Sequence, residues 1–535
     1  MAFRQLIVCF LLCLAVAPPH LLAAEDAADP LAAAVATLGL GSAGDVREAV
    51  DALAGSTDPR ALALLSELAE GQLHVDHAAG VYRSTPDGWR HVLNGEPPPA
   101  DVELAAPSST NALRRQLGAV RAQMQITSPD ANQRLAGARA MAEKPAPEAD
   151  AVLRAALEKE PDASVRHWLR LAVAQLDLQS PDPAVRLQAV TVLGQAGRLG
   201  DRALIAPLAS DAEIDGSVRA AAAQALNRID RQQWWANQAA KLFYGLSLGS
   251  ILLLSALGLA ITFGLMGVIN MAHGEMLMLG AYTTYVVQRL FQSQWPAWQD
   301  GYLVAAIPAA FVVTAVVGVA LERLVIRHLY GRPLETLLAT WGISLGLIQA
   351  VRLVFGAQNV SVANPSWLAG GWAVAEGLVL TYNRLAIIVF ALAVLAMAFL
   401  LLQRTSLGLT VRAVTQNRPM AAAMGINTAS IDAWTFGLGS GIAGLGGVAL
   451  SQLDNVAPDL GQGYIVDSFM VVVLGGVGQL AGTFFGAFGL GLLNKFLEPE
   501  IGAVLGKVLV LVLVILFIQR RPQGLFAQRG RAVEA

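Results

Sequence analysis

Apolar residues follow two rhythms along this 535-residue chain. Up to about residue 235 they recur every three or four positions among Ala, Asp and Arg, which predicts short amphipathic helices that each bury one face. From Lys241 onward the pattern changes to long apolar stretches between short polar loops, at 242–263, 276–290, 302–324, 336–355, 384–403, 431–452 and 502–519. About 20 apolar residues suffice to cross a hydrocarbon core. Each complete span must be helical, because lipid offers no partner to a free backbone group. The stretch 467–497 is also apolar but is interrupted at Gly475-Gly476-Val477-Gly478 and at Ala481-Gly482, so it reads as a hairpin that enters and returns to one side. The expected fold is all-α: a polytopic membrane helix bundle with broken or re-entrant helices, preceded by an exported α-helical domain.

Four segments follow. Residues 1–24 read as a signal peptide: Arg4, an apolar run from Leu6 to Val16, then small residues before Glu25 and Asp26. Both cysteines, Cys9 and Cys13, lie inside it, so the mature chain is expected to carry no disulfide and no thiol-based metal site. Residues 25–235 form the exported domain, 241–520 the transmembrane domain and 521–535 a cytoplasmic tail. Within the exported domain a turn carrying Asp recurs just before an Arg, at Asp130…Arg134, Asp162…Arg166 and Asp182…Arg186, and Ser217-Val218-Arg219 reads as a further copy. The arginines are 32, 20 and 33 residues apart, and two of these intervals fit a helical hairpin that buries one face against its neighbour. The pattern resembles HEAT-type repeats over roughly 125–230. Residues 74–104, with His74, Tyr82, Trp89 and Pro97-Pro98-Pro99, break the helical rhythm and suggest a small β-rich insertion or loop. His74 and His77 lack a third ligand, which a zinc site needs, and are read as surface histidines beside His91.

Charge sharpens the division. The chain is 55% hydrophobic and 14% charged, yet residues 1–240 hold 21 Lys/Arg and 28 Asp/Glu, against 16 and 12 in the remainder. No basic face is available for nucleic acid, and lipid is the expected surrounding of the second half. Arg323, Arg327 and Arg332 share one loop, Arg404, Arg412 and Arg418 another, and Arg520, Arg521, Arg529 and Arg531 the tail. The loops between carry Trp295, Trp298, Trp367 and Trp372 and few cations. Basic loops face the cytoplasm, which places the amino-terminal domain outside and the tail inside the cell. That arrangement needs an odd number of crossings, which seven spans satisfy if 467–497 returns to its own side.

Charged residues at membrane depth are functional candidates. Glu275, with His273 and Asn270, lies at a break between apolar segments; it could line a polar cavity or simply favour the start of the following helix. Thr340 and Ser344 add polar atoms to another span, as pathway lining or as packing. Gly267 and Gly274 bracket the first break, and Gly475, Gly476, Gly478 and Gly482 bracket a similar stretch further on. Paired interruptions of this kind point to a transporter's substrate region. Three motif matches fail on context. Gly439-Ser-Gly441-Ile-Ala-Gly444 lies in an apolar helix and suits helix packing, Gly342-Ile-Ser344-Leu-Gly346 lacks a strand before it, and Gly502…Lys507-Val508 is a residue short of a phosphate loop. No nucleotide site or other cofactor is expected on this chain, so its energy must come from another subunit or an ion gradient.

Arg412 to Asn427 reads as a polar, Ala-rich helix ending at Gly425, placed between two spans. With Ala421, Ala422 and Ala423 before Gly425 it resembles the coupling loop of ABC importer permeases, although the Glu of that motif is Ala421 here and the spacing to Gly is shorter. Gly264–Glu275, the Arg404–Asn427 loop, Leu474–Gly478 and the tail Arg521-Pro522-Gln523-Gly524-Leu525-Phe526 together resemble the branched-chain amino-acid-type ABC permeases over essentially all of 241–530. The exported extension and the stretch from Thr340 to Pro365 are similar to the urea permeases of that group. The resemblance implies a non-enzymatic permease subunit moving a small polar solute by alternating access. Urea is the first expectation for that solute, with a branched-chain amino acid or short amide as the alternative. It implies cytosolic ATPase subunits, a second homologous permease and a periplasmic solute-binding protein as partners, in a bacterial inner membrane. Asn270, His273, Glu275, Thr340 and Ser344 would line the pathway, and Arg412, Ala421, Ala422, Ala423 and Gly425 would meet the ATPase. A channel or gradient-driven carrier, independent of ATP, is the alternative from another class.

Overall fold

A computed structural model describes residues 29–526 except 57, 79, 86–87, 100–101 and 376; the expected signal peptide and the end of the tail lie outside the described residues. The chain divides into two compact units, Met1–Gln232 and Gln233–Ala535.

The first unit is built of helices α1 (Pro30–Leu40), α2 (Ala43–Ala54), α3 (Pro59–Ala69), α4 (Asn111–Ile126), α5 (Ala131–Glu143), α6 (Asp150–Lys159), α7 (Ala163–Asp177), α8 (Pro183–Ala196) and α9 (Leu199–Ser210). Between α3 and α4 stands an antiparallel sheet, β1 (Leu73–Val75), β2 (Val81–Thr85) and β3 (Gly88–His91), in that order. Its register pairs Leu73 with Arg83 and Ser84 with Trp89. His74 rests on the Trp89 ring at 4.4 Å, and His77 Nδ1 lies 3.0 Å from the Leu40 carbonyl oxygen, so the two histidines serve different local contacts.

The recurring Asp and Arg have a shared structural meaning. Each Asp caps a helix start: Asp130 accepts from Asn132 N at 2.9 Å, Asp162 from Ser164 N at 2.7 Å, Asp182 from Ala184 N at 2.9 Å and Asp215 from Ser217 N at 2.8 Å. Each Arg, one turn later, donates back to a loop carbonyl before the cap: Arg134 to Ser128, Arg166 to Glu160, Arg186 to Ser180 and Arg219 to Ala212. The pair satisfies both polarities at a helix entry, donors through Asp and loop acceptors through Arg. The odd interval of 20 arises because α7 and α8 are consecutive helices that both carry the device. The longer intervals contain α6 or α9, whose starts have no side-chain cap.

The long helix α10 (Gly216–Met266) leads into the bundle. It is followed by α11 (His273–Gln294), α12 (Tyr302–Leu324), α13 (Pro333–Phe355), the hairpin β4 (Gly371–Ala375) and β5 (Leu378–Thr381), and α14 (Tyr382–Arg404). Then come α15 (Ser406–Gln416), α16 (Arg418–Ala423), α17 (Thr428–Ser451), α18 (Leu460–Gly475), α19 (Leu480–Ile501) and α20 (Ala503–Arg520). Seven described helices are long and apolar enough to cross a membrane, but they are not the seven expected spans. The expected span 276–290 falls in α11, which has the length but is diluted by His273, Glu275, Thr283, Thr284 and Gln288. In its place stands α19, whose 22 residues reach about 33 Å at 1.5 Å per residue. The stretch 467–497 does return to the end it came from, turning at 476–479 between α18 and α19, but its second arm is as long as a full span.

Contacts define two ends of the bundle. At one, Thr415 Oγ1 donates to Leu265 O at 3.2 Å, and Leu525 N of the tail donates to Leu474 O at 2.9 Å. At the other, Lys241 Nζ meets Glu500 at 3.4 Å, Gln288 donates to Ala363 O at 2.8 Å, and Val360 pairs with Val456. The first end gathers Arg323, Arg327, Arg332, Arg404, Arg412, Arg418, Arg520 and Arg521 from the helix termini there.

At the centre, α17 packs against α11 and α12 through small residues. A methyl group at Gly280 would collide with the Gly444 carbonyl oxygen, and one at Gly439 would lie 2.7 Å from Gly258 O. The glycines that mimic a nucleotide motif at 439–444 thus bring helix backbones together. Lipid supplies no hydrophobic drive between helices, so close van der Waals approach takes its place.

Candidate functional site

The connection from α10 to α11 turns inward. Gly267 adopts φ +68°, open to glycine and disfavoured for other residues, and residues 267–272 carry the chain back along α10. Asn270 Oδ1 accepts from Ala272 N at 3.0 Å, and Met271 N donates to Thr340 Oγ1 of α13 at 3.1 Å. His273 Nε2 lies 3.0 Å from Ser255 O, eleven residues before the end of α10. At 1.5 Å rise per residue that is roughly 16 Å from the helix end, about half the depth of a hydrocarbon core. Because a carbonyl only accepts, Nε2 carries the proton in this bond, and Nδ1 is left as an acceptor without a partner. Helix α11 therefore starts inside the bundle.

Neither Ala272, the residue preceding the helix, nor Glu275 makes a capping hydrogen bond at that start, but Glu275 lies in the first turn, where its negative charge favours the helix dipole. Its Oε1 accepts from Ser344 Oγ of α13 at 2.8 Å, while Oε2 has no hydrogen-bond partner. Asn270, His273, Glu275, Thr340 and Ser344 are all at most 3% exposed. The structure thus joins Glu275 to Ser344 and the 270–272 turn to Thr340 across α11 and α13, whereas the His273 ring turns to α10 and the Asn270 side chain bonds within its own turn. Beside them Gly274 packs against Gly461 in the first turn of α18: a methyl at Gly274 would sit 2.5 Å from Gly461 O. Two helix N-termini, both without a side-chain cap, meet at this point. Tyr282, two turns along α11, is buried with its hydroxyl unpartnered, next to Met278, Ile348, Val351 and Val456.

The second set of break glycines lies at the arginine-rich end. Gly476 and Gly478 have φ +101° and +80°, so the α18–α19 turn depends on them. Gly475 and Gly482 face each other across it, leaving no room for a side chain on either.

The connector from Arg404 to Asn427 differs from the single helix expected. It forms two helices, α15 and α16, bent at Asn417 (φ −152°, ψ 93°). Pro419 explains the bend. It lacks the N–H that would bond the Thr415 carbonyl, and in a continuous helix its ring would clash with that carbonyl. Asn417 then starts α16 afresh by accepting from Met420 N at 2.9 Å. Gly425, at φ +86°, ends α16, with Gly425 N bonded to Ala422 O and Ile426 N to Ala421 O. Arg412 Nη1 donates to Leu402 O at 2.5 Å, tying α15 to α14. Ala421 is buried against the bundle, whereas Ala422, Ala423 and Gly425 are exposed beside Met420 and Met424, which are 60% and 77% exposed.

Sequence reasoning missed a polar cluster beneath this connector. Arg418 pairs with Asp432, which is 3% exposed in the second turn of α17. The Arg418 guanidinium also stands 4.8 Å over the Tyr330 ring, and Tyr330 donates to Glu322 Oε1 at 3.3 Å. Burial and both carboxylates push the Tyr330 hydroxyl far above its ordinary pKa, which keeps it a donor. Glu322 and Asp432 were legible as acidic residues in apolar stretches, and the rule that singled out Glu275 applies to them equally.

The sequence family described as branched-chain amino acid transport system permease component matches residues 241–518. The high-affinity branched-chain amino acid transport system permease protein BraD of Pseudomonas aeruginosa is 30% identical over 294 residues, covering 54% of this chain and 95% of that protein. Its counterpart LivH of Escherichia coli K12 is 29% identical over 295 residues, again 54% of this chain and 95% of the relative. The ribose import permease protein RbsC of Haemophilus influenzae is 28% identical over 134 residues, 23% of this chain and 42% of that protein. No solved structure matches the chain significantly. None of these relatives is named for urea, so the urea expectation gains no support from them. With more than half its length matched, the chain belongs to the branched-chain amino acid ABC transporter permeases, non-catalytic subunits of ATP-driven importers.

Proposed function

We propose that this subunit moves a branched-chain amino acid, in place of the urea first expected, and that Asn270, His273, Glu275, Thr340 and Ser344 line its path. The observation that carries the reading is the buried Glu275 carboxylate, with one oxygen on Ser344 and the other unpartnered. A charge at membrane depth is expensive and is retained where it meets a substrate or an ion. An α-amino acid is a zwitterion that fits the surroundings part by part. Its ammonium suits Glu275, its carboxylate suits the two uncapped helix N-termini, and its branched side chain suits the apolar wall of Met278, Ile348, Val351 and Val456. Urea, which is neutral, gives the carboxylate no counter-charge.

The arginine-rich end faces the cytosol in this reading, following the positive-inside rule. The α15–α16 connector with Arg412, Ala421, Ala422, Ala423 and Gly425 then meets a cytosolic ATPase subunit, its exposed methionines supplying an adaptable apolar contact. A second, homologous permease completes the path, a solute-binding protein delivers the cargo, and ATP-driven closure of the ATPases alternates access. The helical first unit is exported as a HEAT-like domain, with 1–24 as its signal and 521–535 as the inner tail.

The test is uptake by the complete transporter in liposomes. Leucine uptake that requires ATP, with urea neither transported nor competing, is expected. Urea transport would restore the first expectation. Uptake by this chain alone without ATP would favour a channel or gradient-driven carrier.

A further inference from the structure

Arg418 stands in an unfavourable place for a helix. It is the first residue of α16, where the macrodipole disfavours a cation, and although 44% of its side chain is exposed, its head group is held against the bundle. Its guanidinium is shared between the Asp432 carboxylate and the face of Tyr330. Asp432 belongs to α17, and Phe436, one turn further along, is fully buried. Tyr330 bonds Glu322 of α12 and packs in a cluster with Val268, Ile326 and Phe436, joined by Met266 and Leu321. Val268 lies in the 267–272 break, which also carries Asn270 and Met271, the latter bonded to Thr340. A contiguous set of packed and hydrogen-bonded groups therefore joins the exposed connector to the polar cluster around Glu275.

We propose that Arg418 is a positioning residue whose grip on Asp432 and Tyr330 passes movement of α16 into α12, α17 and the 267–272 break. The inference rests on the reading of α15–α16 as the ATPase contact. An Arg suits this role because its planar head can hold a carboxylate edge-on while stacking on an aromatic face, which a Lys does less well. Asp432 and Glu322 are buried at the ends of α17 and α12, the most extensively packed pair in the bundle, so a displacement applied there moves both helices. The neighbouring Thr415–Leu265 bond gives the connector a second hold, on the end of α10, and keeps it docked when Arg418 is altered.

The test uses the complete reconstituted transporter and three readouts: ATPase subunits retained on purification, ATP hydrolysis, and solute taken up per ATP. For Arg418→Gln, retention and hydrolysis are expected to stay within about twofold, while uptake per ATP falls about tenfold, within the usual range of coupling between sites. Arg418→Lys should fall between wild type and Arg418→Gln. The exchange Arg418→Asp with Asp432→Arg should recover more uptake per ATP than either single change, which separates a lost pair from a misfolded chain. Unchanged uptake per ATP in Arg418→Gln would overturn the inference and leave the proposed function standing. Loss of ATPase subunits in step with uptake would also overturn it, since Arg418 would then be a docking contact. A wild-type complex without ATP-dependent uptake would sink both.

Discussion

Helices begin differently in the two units. In the first, Asp29, Ser42, Asp58, Thr110, Asp130, Asp162 and Asp182 each place a side-chain oxygen on a backbone N–H at a helix start. In the bundle, α11, α12, α13, α14, α18, α19 and α20 have no side-chain cap, and only the connector helices α15 and α16 and the following α17 do. A carboxylate at a helix start in water keeps much of its hydration while it caps. At membrane depth it loses that hydration, so an acidic residue there must answer to something other than capping. Glycine divides the same way: in the bundle it admits neighbouring backbones, while several glycines of the first unit face open space. Two solvents have selected two uses of the same residue types.

The largest effect should come from filling a backbone contact. Gly280→Val places a branched side chain against the Gly444 backbone, which cannot retreat without parting α11 from α17. The destabilisation should exceed the ~1–3 kcal/mol of ordinary overpacking, because backbone must move and not only side chains. Recovery of monodisperse protein in detergent is the measure, and near-normal recovery would show that glycine is not what holds these helices together.

Next is the carboxylate that does not cap. Glu275→Gln keeps a partner for Ser344 and nearly the same volume, so folding should be spared. If Glu275 meets the substrate ammonium, losing that charge-assisted contact removes about 1.5–3 kcal/mol, or roughly 10- to 150-fold in affinity or uptake. Uptake in liposomes with thermal stability measured in parallel checks this. A variant that loses stability but keeps uptake would return Glu275 to the structural residues.

Much of this is legible in the sequence. Glu275, Asn270 and His273 stood out as polar residues at an apolar break, and Thr340 and Ser344 as polar atoms in a span. What spacing could not give is that Ser344, 69 residues away, faces Glu275, because that depends on how α13 crosses α11. The Asp and Arg recurrence was visible as a pattern, but its purpose was not, since an arginine's bond to a loop carbonyl leaves no mark on hydrophobic periodicity. The single helix expected over 412–425 underweights Pro419, whose missing N–H and whose ring, set against the Thr415 carbonyl, stop the ladder despite a helix-favouring composition. The span assignment erred at α11 and α19 for a related reason. Hydropathy measures lipid affinity, whereas α11 is surrounded mostly by protein and α19 is broken from α18 by glycines that sit outside both helices.

The smallest effects belong to the first unit. Asp182→Ala removes the cap of α8 and should cost about 1 kcal/mol, seen as faster hydrogen exchange across 183–196 with uptake unaffected. For Asp162 the backbone N–H groups of Val165 and Ser164 hold the carboxylate below its usual pKa of 3.8. A depressed value in the folded state means that the cap's contribution is complete above that usual value and is lost as pH falls through the lowered one. Protection across 163–177, taken relative to the intrinsic exchange rate at each pH, should therefore hold down to about pH 4 and fall only in stronger acid.

Gly118→Ala should act in the opposite direction. Gly118 is interior to α4, and a methyl group there would meet nothing within 4 Å. Alanine restricts the unfolded chain and favours the helix, so the unit should gain about 0.5–1 kcal/mol. The same substitution at Gly274, also helical, drives a methyl to 2.5 Å from Gly461 O and should weaken the bundle. One chemical change with opposite signs in two helices of one chain isolates the surroundings from the propensity. Equal signs, read from local exchange in both helices, would mean that backbone freedom outweighs helix contact throughout, and the contrast between the units would reduce to composition.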